Sequence, residues 1–275
     1  LARSARRGPP TGNTVRCRPP TPPQSMASAR PPLDLIENFP SFDKARPLLE
    51  KIILDHGYRS IADVGGGANP MLGADFLAKH GLRYCLLDRS PSELAKADAR
   101  YEKIEADVCA DTRAFMQQIG DRRFDLIFSH MLLEHLRDTR QAHINFFHAL
   151  NPGGRCVHLY PSPNNLPLAL NRLLPETVAR TLIKFAQPLR DLEGSQQKFA
   201  AYYRMCGAPG PALTTAFEEM GYTVETHVGF IGHTYYERFP PLAALETRAR
   251  RVIHRLGLPL TSGCLLVLRR PTNGP

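Results

Sequence analysis

Ile61-Ala-Asp-Val-Gly-Gly-Gly-Ala-Asn-Pro70 decides how this chain is to be read. Ser60–Val64 is a short apolar strand, and three glycines follow it directly. Without a Cβ, Gly65, Gly66 and Gly67 permit positive φ and let a ligand come close to the backbone. A helix over Met71–His80, stopped by Gly81, is expected behind them, with the unpaired N–H groups of its first turn facing the loop. Strand, glycine turn and helix together suit a nucleotide-like ligand, and the dinucleotide fingerprint G-x-G-x-x-G is one such reading. Here Pro70 stands where that fingerprint needs its last glycine. Asp63 lies in the strand two residues before the turn. Asp88 ends the next strand, 23 residues after Gly65, where a carboxylate accepts hydrogen bonds from ribose hydroxyls. A ligand with a ribose but no pyrophosphate fits this arrangement.

Outward from that turn, strands and helices alternate. Leu82–Leu87, Tyr101–Glu105, Phe124–Phe128 and Arg155–Tyr160 read as further strands. Between them fall a helix opened by Ser90-Pro91, one over Asp111–Ile119 capped by Asp111, and a long one over Leu132–Leu150 closed by Asn151-Pro-Gly-Gly154. Residues 33–57 read as helical, interrupted at Pro40. Such alternation specifies a mostly parallel sheet with helices on both faces, and ligands collect at the carboxyl edge of such sheets. Residues 161–209 break the rhythm with prolines, the apolar stretches Leu166–Leu174 and Val178–Phe185, and the basic, Tyr-rich Lys198–Arg204; they read as an inserted helical cap. Pro211–Met220, Tyr222–Phe230, Pro241–Leu256 and Ser262–Leu268 then read as helix, strand, helix and strand. The expected fold is an α/β, Rossmann-like sheet of seven strands, its core over 26–160, its cap over 161–209 and its completion over 210–275.

Composition bounds the function. The length of 275 residues suits one elaborated α/β domain, and 43% hydrophobic residues allow a sizeable core. Residues 1–25 hold five arginines, no acid and six prolines, so they carry five of the nine net positive charges. That segment cannot bury surface and is expected to be disordered, with native translation beginning near Met26. The rest is only mildly basic, and a nucleic-acid partner is not expected. No uninterrupted apolar run long enough for a membrane span occurs. The six cysteines, at 17, 85, 109, 156, 206 and 264, form no C-x-x-C pair, a usage typical of a reducing compartment; a cytoplasmic place is expected, with membrane-peripheral contact as an extension.

With these residues in view, 45–160 resembles the class I methyltransferases that use S-adenosylmethionine, in particular the group like type 11 methyltransferase domains. Ile61–Pro70 resembles that family's first motif, with Asn69 in place of its common third glycine. The resemblance implies S-adenosylmethionine as cofactor. It implies that Asp63, Gly65 and Gly67 line the pocket for the methionine part, with Gly66 and Asn69 also among the cofactor-binding residues, that Asp88 grips the ribose, and that Asp107 and Val108 meet the adenine. It places Ser129-His-Met-Leu-Leu-Glu-His135 beside the transferable methyl and Leu150–Gly154 before the fifth strand. Asn164–Pro175 and Tyr202-Tyr-Arg204 resemble a bacterial subgroup associated with polysaccharide or glycolipid assembly.

His130, after the fourth strand, is the candidate base if the acceptor must lose a proton, since imidazole titrates near neutrality. Tyr160 is placed to orient an acceptor or to pack. Tyr202, Tyr203 and Arg204 are candidate acceptor residues, suited to sugars or anions. The spacing of His130, Glu134 and His135 matches no zinc motif, and no metal is expected. The acceptor expected is a small molecule, a glycan or a lipid-linked compound. The Leu166–Arg190 and Pro241–Arg255 segments mix leucines with arginines and read either as solvated surface helices or as helices resting on an anionic membrane. A methyltransferase-like binding protein without turnover and a nicotinamide-dependent oxidoreductase are the competing functions, the latter opposed by Asp63 and Pro70.

Overall fold

In the computed structural model, residues 35–36, 42–164, 200–232 and 240–272 are described. In chain order the elements are β1 (Leu35–Ile36), α1 (Phe42–His56), β2 (Ser60–Val64), α2 (Ala74–His80), β3 (Arg83–Asp88), α3 (Pro91–Lys96) and β4 (Glu102–Glu105). There follow α4 (Thr112–Gln118), β5 (Phe124–His130), α5 (Thr139–Ala149), β6 (Leu150–Pro161), α6 (Pro211–Glu219), β7 (Thr223–Phe230), α7 (Pro240–Leu256) and β8 (Gly263–Arg269).

The strands form one sheet in the order β1-β7-β8-β6-β5-β2-β3-β4. This is the expected mostly parallel sheet, Rossmann-like in its core, with the two-residue β1 adding an eighth strand. Residues 35–36, expected to be helical, instead pair in parallel with Gly229 and Phe230 at the edge of β7. The single antiparallel strand is β8, which lies between β6 and β7. β2 sits at the centre, flanked by β3 and β5, so the direction of winding reverses beside it.

Alternation along the strands divides the core in two. Ile61, Leu86, Leu126, Phe128 and Leu159 face α1, α2 and α3 with Leu49, Ile53, Leu77 and Leu94. Ala62, Val64, Leu87, Ile127 and Leu266 face α4, α5 and α6 with Phe115, Phe146 and Phe217. The sheet is therefore covered on both sides, and a fully buried side chain such as Ile61 or Phe128 contributes about 1.5–3 kcal/mol. At the amino edge, Asp125 Oδ2 accepts from the N–H groups of Arg59 and Ser60 at 2.9 Å each. Its Oδ1 accepts from Asn151 Nδ2 at 2.7 Å, so one carboxylate aligns β2, β5 and β6.

Two helices begin later than their apolar pattern predicts. α2 starts at Ala74 because the buried Asp63 takes the Met71 N–H, at 3.0 Å, for the preceding loop. α5 starts at Thr139, with Asp138 capping it through Gln141 N at 3.0 Å. The chain before it turns sharply at Met131 (φ 55°) and makes one 3-10 turn over Leu133–His135. Asn151–Gly154 bulges out of β6 rather than separating it from α5: Phe124 pairs with Leu150, and Leu126 with Arg155. Residues 1–25 and the cap stretches Leu166–Leu174 and Val178–Phe185 lie outside the described residues. Among the described residues, no helix is long and apolar enough to cross a membrane.

Candidate active site

The carboxyl ends of β2, β3, β4 and β5 meet around the glycine turn. Gly65 leaves β2 at φ 76°, a conformation that favours glycine, and its N–H donates to Leu87 O at 2.8 Å. Gly66 lies against the carboxyl group of Asp63; a Cβ there would be 2.6 Å from the carboxyl carbon. Asp63 is buried and accepts from Met71 N and, in a short bond, from the Tyr84 hydroxyl. Burial pushes its carboxyl up to about 6 despite these two bonds. Asp63 thus stands beneath the turn as its support. Asn69 closes the loop through its N–H to Gly66 O at 2.7 Å.

Gly67 is the point where two loops touch. A Cβ at Gly67 would lie 2.8 Å from Asp88 Oδ2 and 2.9 Å from Glu93 Cβ. The other oxygen of Asp88 accepts from Ser90 N at 2.8 Å, which fixes the carboxylate against the turn. Partial burial raises the Asp88 pKa above the usual carboxylate value. One step along the edge, Ala106 N donates to Asp88 O at 3.0 Å, which joins the loop after β4 to the end of β3. Asp107 Oδ1 accepts from Cys109 N at 2.9 Å, and Val108 is buried with its carbonyl held by Asn145 Nδ2 at 2.9 Å. The structure therefore brings Gly65, Gly66, Gly67, Asn69, Asp88, Asp107 and Val108 to one edge. A cradle kept clear of Cβ atoms, flanked by a fixed carboxylate, fits an adenosyl ligand.

The β5 side differs in detail. Ser129 sits level with Val64, but its hydroxyl is fully buried and shares a 2.8 Å hydrogen bond with His158 Nδ1. His130 is partly covered, and burial lowers its pKa to about 4. It is therefore a neutral imidazole at pH 7, and a weaker base than its ordinary range suggested. Leu132 lies over the turn, its Cδ1 2.8 Å from where a Gly65 Cβ would stand.

Glu134, within the Ser129–His135 stretch, was given no role of its own by the sequence beyond a rejected metal site. It is 2% exposed, and burial pushes its carboxyl up to about 7. Its Oε1 lies 3.6 Å from His135 Nε2, and its Oε2 has no hydrogen-bond partner among the described residues. Its backbone carbonyl accepts from both Tyr202 N (2.7 Å) and Tyr203 N (3.1 Å). The available signal was one acid among Leu132, Leu133 and Leu136.

Those bonds bring Tyr202, Tyr203 and Arg204 to the same edge, with Tyr202 41% exposed. Tyr160 is not on the open surface. It is fully buried, donates to Gly207 O at 3.2 Å and shares a 2.9 Å bond with His227 Nε2. Of the two roles the sequence left for it, packing is the one observed. Among the described residues, no group of three or more His, Cys, Asp and Glu side chains is placed to hold a metal ion.

Residues 62–156, which hold the turn, Asp88, Asp107 and His130, match a family model described as a methyltransferase domain. The chain contains a methyltransferase domain. Solved structures similar to the whole include an S-adenosylmethionine-dependent methyltransferase from Mesorhizobium loti: 19% identity, TM-score 0.48, covering 84% of this chain and 100% of that one. The N-methyltransferase NodS from Bradyrhizobium japonicum WM9, in complex with S-adenosyl-L-homocysteine, is 16% identical with TM-score 0.45, covering 83% and 87%. Magnesium protoporphyrin IX methyltransferase from Synechocystis PCC 6803, with bound S-adenosylhomocysteine, is 12% identical with TM-score 0.46, covering 82% of each chain. No curated protein matches. These structural likenesses are distant. The methyltransferase domain itself spans β2 to the first half of β6, so its boundaries enclose every cofactor-side residue named above.

Proposed function

We propose that this protein transfers a methyl group from S-adenosylmethionine to a small-molecule, glycan or lipid-linked acceptor. The observation that carries the reading is the pairing of Gly67 with the Asp88 carboxylate inside the methyltransferase domain. Asp88 accepts from the ribose hydroxyls, Gly65–Gly67 and Asn69 admit the methionine part, and Asp107 with the Val108 N–H meets the adenine. Asp63 supports the turn from below. When bound, S-adenosylmethionine supplies a methyl group on an activated sulfonium leaving group.

The chain's own work is then positional. It holds an acceptor atom in line with the methyl and excludes water. His130, neutral at working pH, accepts a hydrogen bond from the acceptor, and takes its proton where the acceptor must lose one. Tyr202, Tyr203 and Arg204 contact the acceptor from the facing segment. Ser129 acts from within, by fixing β5 through His158.

Calorimetry with S-adenosylmethionine, S-adenosylhomocysteine and NAD tests the reading. Binding of the two sulfur compounds, absent in Gly65→Arg and weakened in Asp88→Ala, is the expected result. Binding of NAD alone, or undiminished binding in Gly65→Arg, overturns it. Release of S-adenosylhomocysteine in the presence of cell extract separates turnover from a binding role without catalysis.

A further inference from the structure

Two excursions leave the sheet at its carboxyl edge. β6 ends at Pro161 and β7 at Phe230, and both residues pair with Gly263, the first residue of β8. Residues 231–262, with α7 among them, therefore depart from and return to the edge that carries the glycine turn. Ser162 N donates to Ser262 O at 3.1 Å, and Asn164 Nδ2 to Pro259 O at 3.2 Å, so the start of the other excursion is tied to this one.

α7 is amphipathic in an unusual sense. Ala243, Glu246, Arg250 and Ile253 form its partly covered face, with Arg250 paired to Glu246. Beside that face runs an apolar stripe open to solvent: Leu245 (62% exposed), Val252 (55%) and Leu256 (63%), continued after the helix by Leu258. Seven and four residues separate the three, so they share one line along the helix. Arg248, Arg251 and Arg255, all exposed, border the stripe on its far side. Seven large apolar side chains are exposed among the described residues, and four of them, Leu245, Val252, Leu256 and Leu258, lie on α7 or just after it. An exposed apolar stripe along one helix marks an interaction surface, and an arginine border selects an anionic one.

We propose that α7 rests on an anionic bilayer, with Leu245, Val252 and Leu256 in the headgroup region and Arg248, Arg251 and Arg255 on lipid phosphates. Given the methyl-transfer reading, on which this part depends, the acceptor is a membrane-resident, lipid-linked compound delivered to the same edge. The arginines supply attraction over about a Debye length, and the apolar stripe supplies what salt does not screen.

The test uses the whole chain and vesicles of phosphatidylcholine with or without phosphatidylglycerol. Sedimentation with the anionic vesicles, weakened by salt and lost in Val252→Glu/Leu256→Glu, is expected. Arg248→Glu/Arg251→Glu should lower the affinity by about tenfold or more. All four positions are exposed, and calorimetry with S-adenosylhomocysteine on the same variants checks that the cofactor site is intact. Equal sedimentation with neutral vesicles, no sedimentation with either, or a dimer broken by Val252→Glu/Leu256→Glu overturns the proposal. Cofactor binding in a protein that ignores vesicles would leave the methyltransferase reading standing. Label from the methyl group found in the aqueous rather than the organic phase of a cell extract overturns the acceptor class.

Discussion

Gly67→Ala isolates the contact on which the cofactor reading depends. The new methyl group would stand 2.8 Å from Asp88 Oδ2 and 2.9 Å from Glu93 Cβ, closer than real Cβ atoms come to their neighbours. Neither neighbour yields freely. Asp88 is a short side chain whose other oxygen is bound to Ser90 N, and Glu93 Cβ is the stem of a residue inside α3. Gly67 does not have positive φ, so the substitution carries no conformational penalty of the left-handed kind. Overpacking by one methyl costs about 1–3 kcal/mol. If the strain is relieved by moving Asp88 away from its ligand, cofactor affinity falls about 5- to 150-fold. Gly73→Ala is the matched control: it caps α2 at φ −73°, and a Cβ there meets nothing within 4 Å. Calorimetric titration with S-adenosylhomocysteine reads both variants. Gly67→Ala binding as tightly as Gly73→Ala, with both folded by circular dichroism, would refute the claim that Gly67 and Asp88 form one ligand surface.

Gly65→Ala should cost about 1 kcal/mol of stability through its φ of 76°, since the Leu132 methyl it meets is the end of a flexible side chain; urea denaturation reads this. Burial raises Glu134 from the ordinary 4.5 to about 7, so the unfolded chain ionises first. Native stability from this group is complete below about pH 4.5 and is lost as pH rises through 7, by about 3 kcal/mol in total. Glu134→Gln should remove that slope in urea titrations at pH 5 and 8, and an unchanged slope would show that the carboxyl is not buried in solution. His130→Ala should lower kcat by about 100-fold if the histidine takes the acceptor's proton, and by much less if it only packs. Burial holds the thiols of Cys85, Cys156, Cys206 and Cys264 above their usual pKa, so native protein should leave these four unlabelled by a thiol reagent that reaches them in urea.

Much of the architecture was readable because it is local. Alternating apolar runs located the strands, and Ser90-Pro91 and Asp111 announced two helices through their own side chains, each accepting from the backbone three residues on. What was not readable depends on partners far away in sequence. The Met71–His80 helix loses its first turn to Asp63, eight residues back, and Asp63 is itself held by Tyr84. The long helix expected over Leu132–Leu150 loses seven residues to the turn at Met131 and the carbonyl of Glu134, which binds Tyr202 and Tyr203. The site follows the same rule. Gly65, Gly67 and Asp88 declared themselves by residue type and spacing, whereas Tyr160 and Ser129 look like edge residues until His227 and His158 are found beside them. Strand order, too, left no mark in the hydrophobic pattern, and nothing in Gly263–Arg269 announced that it runs antiparallel between β6 and β7.

That placement of β8 has a consequence for how the protein is made. The strands that carry the cofactor residues, β2 to β5, lie on one side of β6 and emerge from the ribosome before it. β7 emerges before β8 but cannot reach β6 directly, because seven residues made later occupy the gap. During synthesis the half of the sheet with the glycine turn is thus able to assemble, while β6 and β7 each wait with an unpaired edge for the strand that joins them. A nascent chain stalled before Gly263 would expose both edges at once, and those edges, rather than the cofactor site, are what a chaperone would have to shield.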